Sequence, residues 1–140
     1  MDSQIQLLRQ VFVHDRYATM TGIFIESAQS GGACCSLELQ EIHRNITGAV
    51  QGGVFFTLAD FCFAVAANAP HILEQTGRLI ISLSNSITFI KQPRGNKLWA
   101  YAEQISAGHK VCSYRVKVTD EYQTAVAEML VNGYTVTKQL

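Results

Sequence analysis

Apolar and polar residues divide the chain into segments of different period. Ile5, Leu8, Val11 and Phe12 recur at helical spacing, so a short amphipathic helix is predicted to open the chain over 5–12. Residues 22–27 read as a strand ended by Ser30-Gly31-Gly32, and 33–39 alternates well enough to be its partner across that turn. Over 54–67 the chain is apolar on nearly every side, interrupted by one charge, Asp60. That run is too long for an ordinary strand, so a buried helix is predicted from about 52 to 68, with Pro70 as its stop signal. Residues 79–90 read as a long strand ended by Gln92-Pro93-Arg94-Gly95-Asn96, followed by a strand over 97–105 and the turn Ser106-Ala107-Gly108. Over 110–119 the alternation is clean: Cys112, Tyr114, Val116 and Val118 take one face, and Ser113, Arg115 and Lys117 the other. The last strand is predicted over 124–137.

Hairpin-length links between most of these strands imply antiparallel pairs. Such a sheet needs one covered face, and the all-round apolar helix is the only predicted element able to cover it. The predicted class is therefore α+β: one antiparallel sheet of about five to six strands wrapped around a long central helix, as a single domain over 1–140. Composition agrees, since 140 residues at 48% hydrophobic suffice for one core and not for two ordinary domains. Eleven basic and eleven acidic residues cancel, which argues against broad nucleic-acid or membrane-surface binding. Met1-Asp2-Ser3-Gln4 shows no basic region followed by an apolar one, and no uninterrupted apolar stretch reaches membrane-spanning length, so a cytoplasmic location is expected. Cys34, Cys35, Cys62 and Cys112 lack metal-ligand spacing and lie in apolar surroundings, as small buried hydrophobes of a reducing compartment would.

The pattern Asn45-x-x-Gly48-x-x-Gln51-Gly52-Gly53-x-x-x-Thr57-Leu58-Ala59-Asp60 resembles the signature of hotdog-fold acyl-CoA thioesterases of the phenylacetic-acid-degradation (PaaI-like) type. Asp15-Arg16-Tyr17-Ala18, Ile87-Thr88-Phe89-Ile90-Lys91-Gln92-Pro93 and the stretch from Ala127 to Tyr134 resemble the same family, so the likeness extends over nearly the whole chain. The resemblance implies a hotdog fold, hydrolysis of an acyl-CoA substrate without a cofactor, and self-association as a homodimer or homotetramer. It also implies roles: Asp60 as nucleophile or base on water, Asn45 positioning the water or the carboxylate, Gly52 or Gly53 offering a backbone N–H to the thioester oxygen, and Ser82 assisting the carboxylate. The family pattern usually has histidine before the glycine pair, where this chain has Gln51. An amide can donate a hydrogen bond but carries no charge and shuttles no proton, so reduced or narrowed activity is expected.

The chemistry of these residues fits that reaction. Thioester hydrolysis needs a nucleophile or general base and donors for the developing oxyanion. Asp60 suits the first need. The glycine pair suits the second, because helix-start N–H groups are unpaired, the helix dipole is positive there and glycine permits close approach. His14, His43, His71 and His109 are scattered without metal-ligand spacing. Gly52 and Asp60 are eight positions apart, or roughly 12 Å along one helix axis, whereas both must converge within about 3–3.5 Å of one carbonyl. A symmetric dimer solves this if Asp60 of one copy faces the glycine turn of the other. The stripe Gly53, Thr57, Asp60, Ala64, Ala67 is small or polar throughout and admits a ligand or another backbone.

Plainer readings stand beside these. Asp60 is equally a core aspartate bonded to backbone or hydroxyl groups, Gly52-Gly53 a tight turn into the helix, Asn45 a turn residue or cap, and His43 a loop hydrogen-bonder. Lys91, Arg94 and Lys97 bracket one turn and His109-Lys110 sits at the next; they form either solvated turns or a cationic patch for the phosphates of coenzyme A. A non-catalytic acyl-CoA or fatty-acyl binding protein is the main rival function. A hydratase or dehydratase is a weaker one, since it typically wants the histidine that Gln51 replaces.

Overall fold

A helix that is apolar all round must be covered all round. In the computed structural model, which describes residues 2–138, a single six-stranded sheet provides most of that cover. The chain runs α1 (Asp2–Phe12), α2 (Arg16–Thr21), β1 (Phe24–Gln29), β2 (Gly32–Glu38), a 3-10 turn (Glu41–His43), α3 (Gly52–Glu74), β3 (Arg78–Phe89), β4 (Lys97–Ala107), β5 (Val111–Thr119) and β6 (Ala125–Thr137). Every strand pair is antiparallel and the spatial order is β1-β2-β4-β5-β6-β3. The expected antiparallel sheet around a central helix is therefore what the chain adopts.

The inner face of the sheet and α3 make one core. Phe55, Leu58, Cys62, Phe63 and Val65 of α3 pack with Leu37, Leu98, Val116, Val118 and Met129 from the strands. In β5 the predicted alternation holds, with Cys112, Tyr114, Val116 and Val118 buried. Cys35, Cys62 and Cys112 are buried and Cys34 half-buried, all as free thiols. Helix α1 closes one side: Leu8 and Phe12 enter the core, the Phe12 and Phe61 rings meet edge to face at 5.6 Å, and Arg9 donates twice to the Ile25 carbonyl.

Three expectations need correction. A second short helix, α2, follows α1, because Asp15 to Thr21 turns once before β1. Pro70 does not stop α3, which runs on to Glu74 and ends at Gln75 in the left-handed conformation (φ 53°). Proline removes one helix hydrogen bond, but Ile72 and Leu73 continue to pack on the core, and tertiary packing overrides the local signal. Finally, α3 is long and apolar enough to cross a membrane by length and composition; here it is the core helix.

Strand β3 pairs with β6 alone, so its other edge has no partner among the described residues. That edge strand carries Ile81 (48% exposed), Leu83 (60%) and Phe89 (54%). A long apolar edge with free N–H and C=O groups is a template for another strand.

At the β5–β6 turn, the buried Asp120 gathers three backbone N–H groups: Tyr122 at 2.9 Å and Thr124 at 3.1 Å on Oδ1, and Arg94 at 2.9 Å on Oδ2. Burial by itself would raise this carboxyl; the three N–H bonds and the Arg94 charge outweigh it and hold it below its ordinary value. Replacing Asp120 by Ala leaves the donors unpaired and should cost about 1–3 kcal/mol of stability in urea denaturation at neutral pH. Because the native carboxyl is depressed, its contribution is present above the unfolded-state value and lost as pH falls through the native one. The gap between Asp120→Ala and the parent should therefore close in acid.

Candidate active site

The segment leading into α3 is held by its own hydrogen bonds. His43 is buried; its Nδ1 accepts the Gln40 N–H at 2.9 Å and its Nε2 lies 3.1 Å from the Thr21 carbonyl oxygen, which assigns the neutral Nε2–H tautomer. Both ring nitrogens are thereby used in tying α2 to the loop. Asn45 Oδ1 accepts from Thr47 N–H (2.9 Å), Thr47 Oγ1 (2.7 Å) and Ala49 N–H (3.1 Å), an Asx-type turn. Gln92 clamps Val50 from both sides, donating to its carbonyl and accepting from its N–H. The chain thus reaches Gln51 in a fixed direction.

Gln51 is the residue preceding α3. Its backbone N–H donates to the His43 carbonyl, its own carbonyl accepts from Val54 N–H, and its exposed side chain makes no capping bond. The N–H groups of Gly52 and Gly53 meet no acceptor among the described residues. The two glycines differ in why they are glycine. A Cβ on Gly52 would lie 3.0 Å from the Phe89 ring, so close packing of β3 on the helix start requires its absence. A Cβ on Gly53 would meet nothing within 4 Å. Space over Gly53 is open.

Asp60 sits two turns further along α3, half-buried. It opens onto a cavity of about 400 Å³ lined by Asp15, Tyr17, Thr57, Phe61 and Ala64 among others. The predicted small-residue stripe therefore does face open space, at Gly53, Thr57, Asp60 and Ala64, while Ala67 is buried. Thr57 spends its hydroxyl proton on the Gly53 carbonyl at 2.8 Å. Burial pushes the Asp60 carboxyl above its ordinary value; the amide of Asn85 beside it pulls the other way, and the nearby Asp15 carboxylate pushes it further up. Asp15 is itself raised by burial.

Ser82 lies on β3 and donates to Asn85 Oδ1 at 2.6 Å rather than to Asp60. Asn85 was not singled out in the sequence; the available signal was a lone amide among the serines and apolar residues of 79–90. The five basic residues that could form a phosphate patch fall in two groups, and Lys97, at the start of β4 and 4.9 Å over the Trp99 ring, belongs with Lys91 and Arg94. Arg94 stacks over Tyr122 at 4.3 Å and follows the Phe89 end of β3 with Lys91, whereas His109 and Lys110 line a cavity with Arg78 at the other end. The length of β3 separates them, roughly 36 Å for eleven residue steps. No group of three or more His, Cys, Asp or Glu side chains among the described residues could hold a metal ion.

The model of the thioesterase superfamily matches residues 47–127, more than half of the chain, from Thr47 within the Asx turn through α3 to the start of β6. The chain belongs to that superfamily, and membership supports thioester hydrolysis as its general chemistry. A relative from Archaeoglobus fulgidus named "Putative esterase" is 27% identical over 118 residues, covering 84% of this chain and 73% of the relative. Among solved structures, the PaaI protein of E. coli from the phenylacetic acid degradation operon superposes with a TM-score of 0.85 at 23% identity, covering 97% of this chain and 95% of that one. The smu.793 protein of Streptococcus mutans, bound to acetyl CoA, gives a TM-score of 0.74 at 21% identity, covering 85% and 92%. These likenesses identify the fold as the hotdog.

Two outcomes separate structural from chemical roles here. Gly52→Ala should destabilise the protein by forcing Phe89 aside, while Gly53→Ala, in open helical space, should stabilise it by about 0.5–1 kcal/mol in thermal or urea denaturation. Asp60→Asn should raise Tm at neutral pH. With the native carboxyl raised above its unfolded value, the folded state loses stability as pH rises between the two values and does not regain it above them. The amide removes that loss, and the difference should vanish in acid, where both forms are neutral.

Proposed function

We propose that this chain hydrolyses acyl-CoA thioesters at two sites shared between the copies of a homodimer paired along β3. The observation that carries the reading is Asp60: a desolvated carboxylate at the mouth of an open cavity, roughly 12 Å along α3 from the unpaired N–H groups of its own helix start. In a two-fold pairing, the Gly52-Gly53 turn of one copy comes opposite Asp60 of the other. The open apolar edge of β3 supports such a pairing.

In this site the ionised Asp60 either takes a proton from the attacking water or attacks the thioester carbonyl carbon itself, forming a mixed anhydride that water then hydrolyses to the free acid and Asp60. The N–H groups of Gly52 and Gly53, with the exposed amide of Gln51, receive the oxyanion that develops. Coenzyme A leaves as a thiolate, whose conjugate acid titrates near that of free cysteine at about 8.5. Such a leaving group departs without a strong acid beside it. An uncharged Gln51 can therefore orient the carbonyl without having to supply a proton. Asn45 presents its side-chain NH₂ from the Asx turn, its oxygen being already used there. Antiparallel pairing of two β3 edges also turns the Lys91 and Arg94 end of one copy toward the His109 and Lys110 end of the other, supporting a joint phosphate site that one chain alone lacks. The acetyl CoA bound to the Streptococcus mutans neighbour supports a coenzyme A ester as the substrate class.

Non-catalytic acyl-CoA binding is the second reading, favoured by Gln51 and by the internal use of the Asn45 oxygen. Thiol release from a panel of acyl-CoAs, measured for the parent and Asp60→Asn, separates the two. Under the proposal the parent turns over at least one ester and Asp60→Asn loses about 10²–10⁴-fold in kcat/KM. Turnover that survives Asp60→Asn, or a fully active monomer, overturns it. The raised carboxyl also sets the acid limb of kcat/KM at higher pH than an ordinary aspartate would give, and Asp15→Asn should move that limb down by removing a like charge.

A further inference from the structure

Strand β3 carries a bulge between Ser82 and Ser84. Opposite it on β6, Val131 and Gly133 are both buried, two residues apart and on the same face of the sheet. Their register partners on β3 are Asn85 and Ser82, which are three residues apart. In a regular strand, residues separated by three point to opposite faces. The extra residue, Leu83, is pushed outward, 60% exposed, and the bulge brings Ser82 and Asn85 to one face. There Ser82 Oγ donates to Asn85 Oδ1 at 2.6 Å, which leaves the Asn85 NH₂ to point onward.

Two contacts tell where it points. Asn68 of α3 bonds the backbone of Ile80 in both directions, donating at 3.0 Å and accepting at 2.7 Å. Gly52 lies against the Phe89 ring. Helix and strand therefore run antiparallel, with residue 68 beside 80 and residue 52 beside 89. Asp60 is midway between 52 and 68, and the midpoint of 80–89 falls at 84–85. The helix geometry alone brings Asp60 level with Asn85.

We infer that the β3 bulge turns Asn85 onto the Asp60 carboxylate, and that Asn85, steadied by Ser82, is the positioning residue for that carboxylate. The inference rests on the proposed hydrolysis for its purpose, though not for its geometry. A carboxylate beside an apolar helix core and a second acid tends to take up a proton and turn away. A fixed amide donor opposes both. The titratable groups facing Asp60 from the packed elements are His14, Asp15, Arg16 and Tyr17 of the segment before and within α2, while β3 contributes the neutral Asn85 and Ser82.

The test is a carbon-13 NMR titration of the Asp60 carboxyl in the parent, Asn85→Ala and Ser82→Ala, paired with pH profiles of acyl-CoA hydrolysis. Asn85→Ala should move the Asp60 titration and the acid limb of kcat to higher pH. It should also lower kcat by up to about 100-fold through misplacement of the carboxylate, with KM little changed. Ser82→Ala, an exposed substitution that keeps the fold testable, should shift both in the same direction by less. Asn85→Ser, which restores a donor, should recover part of the shift. An Asp60 titration identical in all variants overturns the inference. If Asp60→Asn keeps activity, the proposed reaction fails instead, and the NMR shift still decides whether Asn85 holds Asp60.

Discussion

Among the described residues, Asn68 is the one side chain of the helix core that bonds strand backbone with both of its polar atoms. It is buried, and its carboxamide answers both the N–H and the C=O of Ile80. An unmade bond at that depth would leave a desolvated amide and an open strand position, so α3 cannot slide along β3 by even one residue without losing both contacts. The ring of Phe89 against Gly52 fixes the other end. Between these two points, the height of Asp60 over the sheet is set by covalent geometry. The approach to Gln51 is fixed in the same manner, by the two ring nitrogens of His43 and the two-sided grip of Gln92 on Val50.

Within that frame the site works against its own charge. Asp15 and Asp60 share a cavity, and burial disfavours ionisation of each. A neutral donor restores part of what burial removes, without the strong pairing that would make the carboxylate inert. An arginine in place of Asn85 would hold Asp60 ionised far more firmly and would also occupy the space and charge that a reacting ester needs. The amide is the weaker partner, and weakness suits a group that must exchange its contacts during reaction.

Much of this was legible in the sequence, and the failures have definite physical causes. The helix, its small-residue stripe and its buried face follow from a 3.6-residue period, which depends on the local chain alone. Pro70 is a local stop signal, and the packing of Ile72 and Leu73 beyond it, which no local pattern encodes, overrides it. Asn85 escaped because alternation assumes that no residue is inserted; Leu83 breaks the count, so residues of opposite parity share a face. The separation of Lys91 and Arg94 from His109 and Lys110 could have been read in advance. Turns at the two ends of one strand, here β4, necessarily lie at opposite ends of the sheet.

The spatial order of the sheet has a consequence for how the chain comes to be folded during synthesis. Strand β3 is made in the middle of the chain, yet its only strand partner among the described residues is β6, the last one. Until residues 125–137 have emerged, β3 has nothing to zip onto, although β1 and β2, made before α3, already give that helix part of its wall. Pairings that join such distant segments form late and slowly. Strand β3 therefore waits through the synthesis of β4 and β5 for its partner, and in that interval its apolar residues are most exposed to misassociation.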